Sequence, residues 1–136
     1  MKVYIAARFS RRDEAECIVR PQLEHLGWRV VSRWHRAQAT EPLNGAMTNH
    51  TAAQNKAFAL RDLEDVAVAD ALVLLTEAPE SAWPRGARHV EYGYALAVGK
   101  ALFLVGSREN VFHWILPDSA VFATVEDLVS CFEVEG

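Results

Sequence analysis

Two rhythms alternate along this chain: short unbroken apolar runs, and stripes of apolar residues at helical spacing. The run KVYIAA (Lys2–Ala7) predicts a first strand, and Ala15, Ile18, Val19, Leu23 and Leu26 predict a helix from Arg11 to Leu26. Pro21 falls inside that helix and predicts a kink or a restart there. Gly27 ends it, and WRVVSRW (Trp28–Trp34) predicts a second strand. Residues 35–48 contain Pro42, Asn44 and Gly45 without any period, the mark of a long loop. A helix then spans Thr51–Ala69, with Phe58, Ala59, Leu63, Val66 and Ala67 facing inward. ALVLLT (Ala71–Thr76) is apolar throughout, as a strand covered on both faces must be. Pro79, Ser81, Pro84 and Gly86 mark a loop into a further helix, which Gly99 stops before the strand Ala101–Val105. SRENVFHWILP predicts a short helix ended by Pro117, and AVFAT a fifth strand. Thr124 and Asp127 open a last helix through Cys131.

Strands alternating with helices predict one doubly wound α/β domain over residues 1–136, with five parallel strands. Such sheets bind ligands beyond the carboxyl ends of the strands, near the point where strand order reverses. That rule selects Ala6–Arg12, the segment from Trp34 onward, Thr76–Glu91 and Gly106–His113.

Composition narrows the picture. Half of the 136 residues are apolar and a quarter charged, the balance of a globular protein. The net charge of -4 offers no basic field for a nucleic-acid polymer, so any phosphate site is local. Cys17 and Cys131 lie far apart without a CxxC partner and are expected as free thiols in a reducing cytoplasm. The basic start MKVYIAARFSRR lacks a signal-peptide core, and no run approaches the roughly 20 apolar residues of a membrane span. The expected setting is cytoplasmic, away from membranes.

Candidate chemistry centres on Glu91, which sits in a helix beside Tyr92, Gly93 and Tyr94. Glycine inside a helix costs about 1 kcal/mol relative to alanine, so close packing or ligand approach is the expected reason for Gly93. Near a helix N-terminus a carboxylate is expected to stay ionised and can act as a nucleophile. Asp62 and Asp65 lie three apart and can share a helix face, and a second carboxyl beside a nucleophilic one suits retaining glycosidic cleavage. Asp70 reads equally as a turn residue or a functional one. ARFSRRD (Ala7–Asp13) sets Ser10, Arg11 and Arg12 at a helix start where a phosphate could bind. It contains neither GxGxxG nor GxxxxGK[ST], so it is neither a dinucleotide fingerprint nor a P-loop. His89 and Glu91 form HxE without a following PCxxC, HExxH is absent, and no serine sits in GxSxG. His25, His35 and His50 read as surface or loop residues. The expectation is chemistry without metal or cofactor.

Three stretches together resemble the nucleoside 2-deoxyribosyltransferase family, which includes the 2'-deoxynucleoside 5'-monophosphate N-glycosidases. They are VYIAARFS, RDLEDVAVADALVLLTEAP and GARHVEYGYALAVGKALFLVG. The family pattern E-x-G-x-A-x-x-x-GK reads here as Glu91, Gly93, Ala95, Gly99 and Lys100. The resemblance covers most of the chain in the same order, with loop 35–48 unmatched. It implies a flavodoxin-like (Rossmann-like) three-layer domain in which Glu91 attacks C1' of the sugar and holds it as an ester. Tyr4 would orient Glu91, Asp62 would contact the sugar and help protonate the departing base, and Asp70 would be structural. Arg8, Phe9, Ser10 and Arg11 would bind a 5'-phosphate, with Asn110 or His113 reaching across a homodimer whose contact includes Phe112 and Trp114. Ala7 replaces the family's glycine after the first strand, and Arg85 replaces an aspartate that reads the base. With Arg88, these departures turn the expectation toward an anionic substrate. The implied activity is N-glycosidic cleavage of a (2'-deoxy)nucleoside or its 5'-monophosphate, the sugar passing to another base or to water. The alternative is a non-catalytic nucleotide-binding or sensor protein on the same fold.

Overall fold

The computed structural model describes residues 1–36, 51–78 and 86–135. Most of the expected loop 35–48, together with His50 and Arg85, lies outside the described residues. Strands β1 (Lys2–Ala6), β2 (Arg29–Val30), β3 (Ala71–Leu75), β4 (Ala101–Val105) and β5 (Val121–Phe122) form one parallel sheet. Their order is β2-β1-β3-β4-β5, the doubly wound arrangement whose switch point falls between β1 and β3. Helix α2 (Arg20–His25) packs against α5 (Val125–Glu135), and α3 (Ala52–Val68) packs against α4 (Ala87–Ala97). The layers are therefore helix, sheet, helix. All five residues of β3 are buried, as are Val3–Ala6 of β1, which explains their unbroken apolar character. Among the described residues no helix is long and apolar enough to cross a membrane. Cys17 and Cys131 are free thiols.

Pro21 stands in the first turn of a restarted α segment, α2. Residues 9–25 are helical throughout, running from a 3₁₀ turn (Phe9–Arg11) through α1 (Arg12–Glu14) and a π turn (Ala15–Val19) into α2. The Arg20 N–H bonds to the Ala15 carbonyl, so the ladder widens by one residue just before the proline, whose ring would otherwise crowd the preceding turn.

The second strand is shorter than the sequence predicts. Val31 N–H still donates to Val3 O at 2.9 Å, but the next β1 amide, Ile5 N–H, donates to the Ser32 side chain at 3.1 Å. A hydroxyl thus replaces the strand ladder, and the chain turns into the 3₁₀ segment Trp34–Arg36.

Helix α3 also departs from expectation. Thr51 and Gln54 form a reciprocal cap at its start, but Ala59 and Ala67 are exposed while Asp65 is buried beside Val66. The inward stripe of this helix carries carboxylates because it overhangs the polar end of the sheet.

Gly106 ends β4 at φ +115°, and its N–H bonds to Phe122 O at 2.8 Å. A Cβ there would collide with the Thr76 hydroxyl. Gly106→Ala is expected to cost roughly 2 kcal/mol or more through backbone strain and the clash. Thermal unfolding should show this as a melting temperature lower by about 5 °C or more.

Candidate active site

Helix α4 starts after Gly86, which takes the left-handed conformation at φ +83°. Its buried residues are Arg88, Glu91, Tyr92 and Ala95, an i, i+3, i+4, i+7 stripe that would ordinarily be apolar. Two ionisable side chains on a core-facing stripe need partners, because an unpaired buried charge is costly. Glu91 finds Tyr4 of β1, whose hydroxyl donates to Glu91 Oε2. Tyr4 is fully buried and Glu91 is 6% exposed. The pair bridges a central strand and a covering helix 87 residues apart in sequence.

Glu91 is not simply held ionised by the helix terminus. Burial pushes its carboxyl well above the ordinary range, and the negative charge of Asp62 on α3 pushes the same way. The Tyr4 hydrogen bond and the Arg61 guanidinium oppose that rise without cancelling it. Tyr4 is itself raised well above the ordinary phenol range, first by burial and then by Glu91 and Asp62. It stays a donor. The structure therefore brings the three expected catalytic residues, Tyr4, Asp62 and Glu91, into one electrostatically coupled group. Asp62 also pairs with Arg61 at 3.1 Å.

The surrounding polar contacts fix the ends of the strands. Buried Asp65 accepts from the backbone N–H of Arg33 at 3.0 Å and pairs with its guanidinium at 2.8 Å, so it anchors the chain after β2. His35, expected at the surface, is buried. Its Nδ1–H donates to Glu16 at 2.8 Å, because a carboxylate only accepts, and its Nε2 lies 2.6 Å from Ser32 Oγ. Burial pulls the imidazole below its ordinary pKa. This Ser–His–Glu chain looks like hydrolase machinery, yet Ser32 is fully buried and accepts Ile5 N–H. It secures the end of β1 next to Tyr4. Asp70 accepts from Lys2 N–H at 2.8 Å and is likewise a strand-edge clamp.

The segment after β1 is arranged differently from the expected phosphate cradle. Ser10 is exposed, and half-buried Phe9 packs against Trp34 with ring centroids 6.2 Å apart. Arg11 pairs with Glu14 at 2.7 Å and with Glu77 at 3.0 Å, and donates to Thr76 O at 3.1 Å. Arg8 pairs with the other Glu77 oxygen at 3.4 Å. The sequence does not single out Glu77, although it lies two residues beyond the end of β3 inside a segment that the topology rule selects.

Arg88 is paired within the chain. Its guanidinium is 1% exposed and grips both oxygens of Glu109, at 3.1 and 2.9 Å. His113 does not project toward a neighbour, since it is fully buried. Glu109 N–H donates to His113 Nδ1 at 3.1 Å, so the ring proton sits on Nε2, and burial pushes the imidazole down to about 4. Asn110 caps the next 3₁₀ segment (Val111–Ile115) by accepting Phe112 N–H at 2.9 Å, which leaves its amide nitrogen to donate to His89 Nδ1 at 3.1 Å. His89, Glu109 and His113 place ligand-type atoms within 4.8 Å of one another. As hydrogen-bonded, both Glu109 oxygens accept from Arg88, the His89 Nε2 lies 3.8 Å from Glu109 Oε1, and the His113 Nε2 is buried without a hydrogen-bond partner among the described residues. In this arrangement the Arg88–Glu109 pair is a charge-compensated strut between α4 and the loop beyond β4.

Gly93 has a different reason from the one expected. It is exposed, and a Cβ there would meet nothing within 4 Å. It lines an outward apolar groove of about 400 Å³ with Val90, Leu96, Tyr92 and Phe112. Its missing side chain deepens the groove and does not bring the helix closer to the sheet.

The buried carboxyl has a thermodynamic signature. Glu91 binds its proton more tightly in the folded chain than in the unfolded one, so it removes stability as pH rises from 4.5 toward its raised folded value. Glu91→Gln keeps an acceptor for Tyr4 and removes that penalty. At pH 7 the variant should melt roughly 2–5 °C above the wild type, and the two curves should converge as pH falls below 4.5.

Neither the protein-family models nor the curated proteins contain a match to this chain. Among solved structures, the Clostridium botulinum CMP N-glycosidase BcmB shares the fold. It aligns over 98% of this chain and 99% of its own, with a TM-score of 0.58 and 17% sequence identity. The three-layer α/β architecture with a five-stranded parallel sheet is therefore common to both chains.

Proposed function

We propose that this protein cleaves the N-glycosidic bond of a (2'-deoxy)nucleoside or its 5'-monophosphate through a covalent glycosyl–Glu91 intermediate. The observation that carries the reading is the buried Tyr4–Glu91 pair set against the charge of Asp62 at the switch point of the sheet. A protein that only bound nucleotides would have no need to hold two repelling carboxyls in a site that disfavours their charge. The shared fold with a CMP N-glycosidase supports the same chemistry.

The chemistry follows from the coupling. Two interacting carboxyls titrate as a pair, and the reactive form of this one carries a single proton. With that proton on Asp62, Glu91 is the anion. Its oxygen attacks C1', forming a C–O ester as the C1'–N bond breaks and its electrons pass to the base. The Asp62 proton goes to the departing nitrogen. The positive charge developing on the sugar is stabilised by both carboxylates, and ester formation removes the repulsion between them. Tyr4 keeps the attacking oxygen in line throughout. Water or a second base then attacks C1' and releases Glu91.

Chromatography of free base from a panel of nucleosides and 5'-monophosphates, with and without acceptor base, tests the reading. Wild type should release base and Glu91→Ala should release none. Tyr4→Phe should lower kcat/KM roughly 10–100-fold through loss of one hydrogen bond to a charged group. Because Glu91 must be ionised to attack, and its pKa is raised, the acidic limb of kcat/KM should lie above the ordinary carboxylate range. Substrate binding without base release at any pH would overturn the reading in favour of a sensor.

The proposed working unit is a homodimer. Val111, Phe112, Trp114 and Ile115 are each more than half exposed beside the apolar groove on α4. Arg108 stacks on the Trp114 ring at 4.6 Å and donates to the carbonyls of His113 and Leu116, which holds this patch in a fixed shape. A rigid, exposed apolar patch is the mark of an interaction surface. Light scattering should show a dimer at micromolar concentration, and Trp114→Glu should give a folded monomer. A wild-type monomer would remove the dimer from the proposal.

A further inference from the structure

We propose that Glu77 is an internal counter-ion filling the anion position formed by Arg8 and Arg11, so that the site selects a sugar without a 5'-phosphate. The inference rests on the glycosidase reading and names its substrate class. Arg8 and Arg11 lie beyond the carboxyl end of β1, and Glu77 lies beyond the carboxyl end of the adjacent β3. This is the crevice where a doubly wound sheet receives its ligand. One carboxylate oxygen meets Arg8 at 3.4 Å and the other meets Arg11 at 3.0 Å. Two guanidinium groups converging on two oxygens is also the geometry that recognises a phosphate.

Glu77 holds that place from within the chain. Its side chain is 17% exposed, against 27% for Arg8 and 26% for Arg11, so the cluster faces the crevice without being dissolved in solvent. Arg11 is fixed further by Glu14 and by the Thr76 carbonyl, which leaves it little freedom to follow another anion. Four residues of chain, roughly 13 Å if fully extended, separate Tyr4 from Arg8, and the long Glu91 and Arg8 side chains shorten that gap from both ends. A sugar with C1' at Glu91 is thus within reach of this cluster through its 5' end. A 5'-hydroxyl can donate to the Glu77 carboxylate. A 5'-phosphate meets a like charge that the arginines have already neutralised, and entry requires the Glu77 ion pairs to break.

The test compares wild type with Glu77→Gln, using base release from matched nucleoside and 5'-monophosphate pairs and calorimetric titration with inorganic phosphate. Wild type should prefer the nucleoside and show no phosphate binding at millimolar concentration. The variant should raise the monophosphate-to-nucleoside ratio of kcat/KM roughly tenfold or more and gain phosphate binding. An unchanged ratio with unchanged phosphate titration would mean that Glu77 only ties the two loops together, and the proposal falls. Wild-type preference for the monophosphate, or wild-type phosphate binding, overturns it even if the variant does not fold. Absence of base release from every substrate would overturn the glycosidase reading, while the phosphate titration still decides on Glu77.

Discussion

The structure around the site turns on one constraint: a carboxyl group is held on the core-facing stripe of a helix, where water cannot solvate its charge. Glu91 can occupy that place because Tyr4, one strand away, offers a hydroxyl whose own ionisation is suppressed by the same burial. Neither residue is tolerable there alone. The site's disfavour for charge holds the Glu91 carboxyl well above its ordinary range, the kind of perturbation that clusters at functional sites. Stability is given up locally at this carboxyl, and the buried residues of β1 and β3 offset the loss.

Much of the remaining polar network keeps that pair in register. The Glu16–His35–Ser32 chain takes over the hydrogen bonding of β1 where β2 ends, so the strand carrying Tyr4 does not fray beside the site. Asp65 pins the segment after β2 to the helix that brings Asp62. Arg88 and Glu109 join the start of α4 to the loop beyond β4. Each of these contacts is shielded from solvent on at least one side, where a charge-assisted hydrogen bond is worth more than on an open surface.

Basic residues near the site therefore do not all serve the ligand. Arg88 and Arg11 have carboxylate partners within the chain, and the pairing of Arg11 with Glu77 lies in the crevice beyond β1 and β3. The carboxylates that these arginines meet, and not the number of arginines, set the charge they offer to a ligand. The outward groove around Gly93 and Phe112 belongs to a separate surface, on the side of α4 away from Glu91.

By itself the sequence determined the alternation of strands and helices, the buried character of Ala71–Leu75, and the grouping of Tyr4, Asp62 and Glu91 by family resemblance. Those features are legible because each is written in local periodicity or in a short spaced pattern. Only the tertiary structure decided which charges meet. That Asp65 is an anchor, that His35 is buried, that Arg88 belongs to Glu109 and that Glu77 sits between Arg8 and Arg11 all depend on residues 19 to 69 positions apart. The same limit applies to Gly93, which reads as a packing glycine in sequence and opens an outward groove in the fold. A helix pattern states which face is special, but the strand order and loop paths decide what that face confronts. Electrostatic partnership over such separations is a property of the fold.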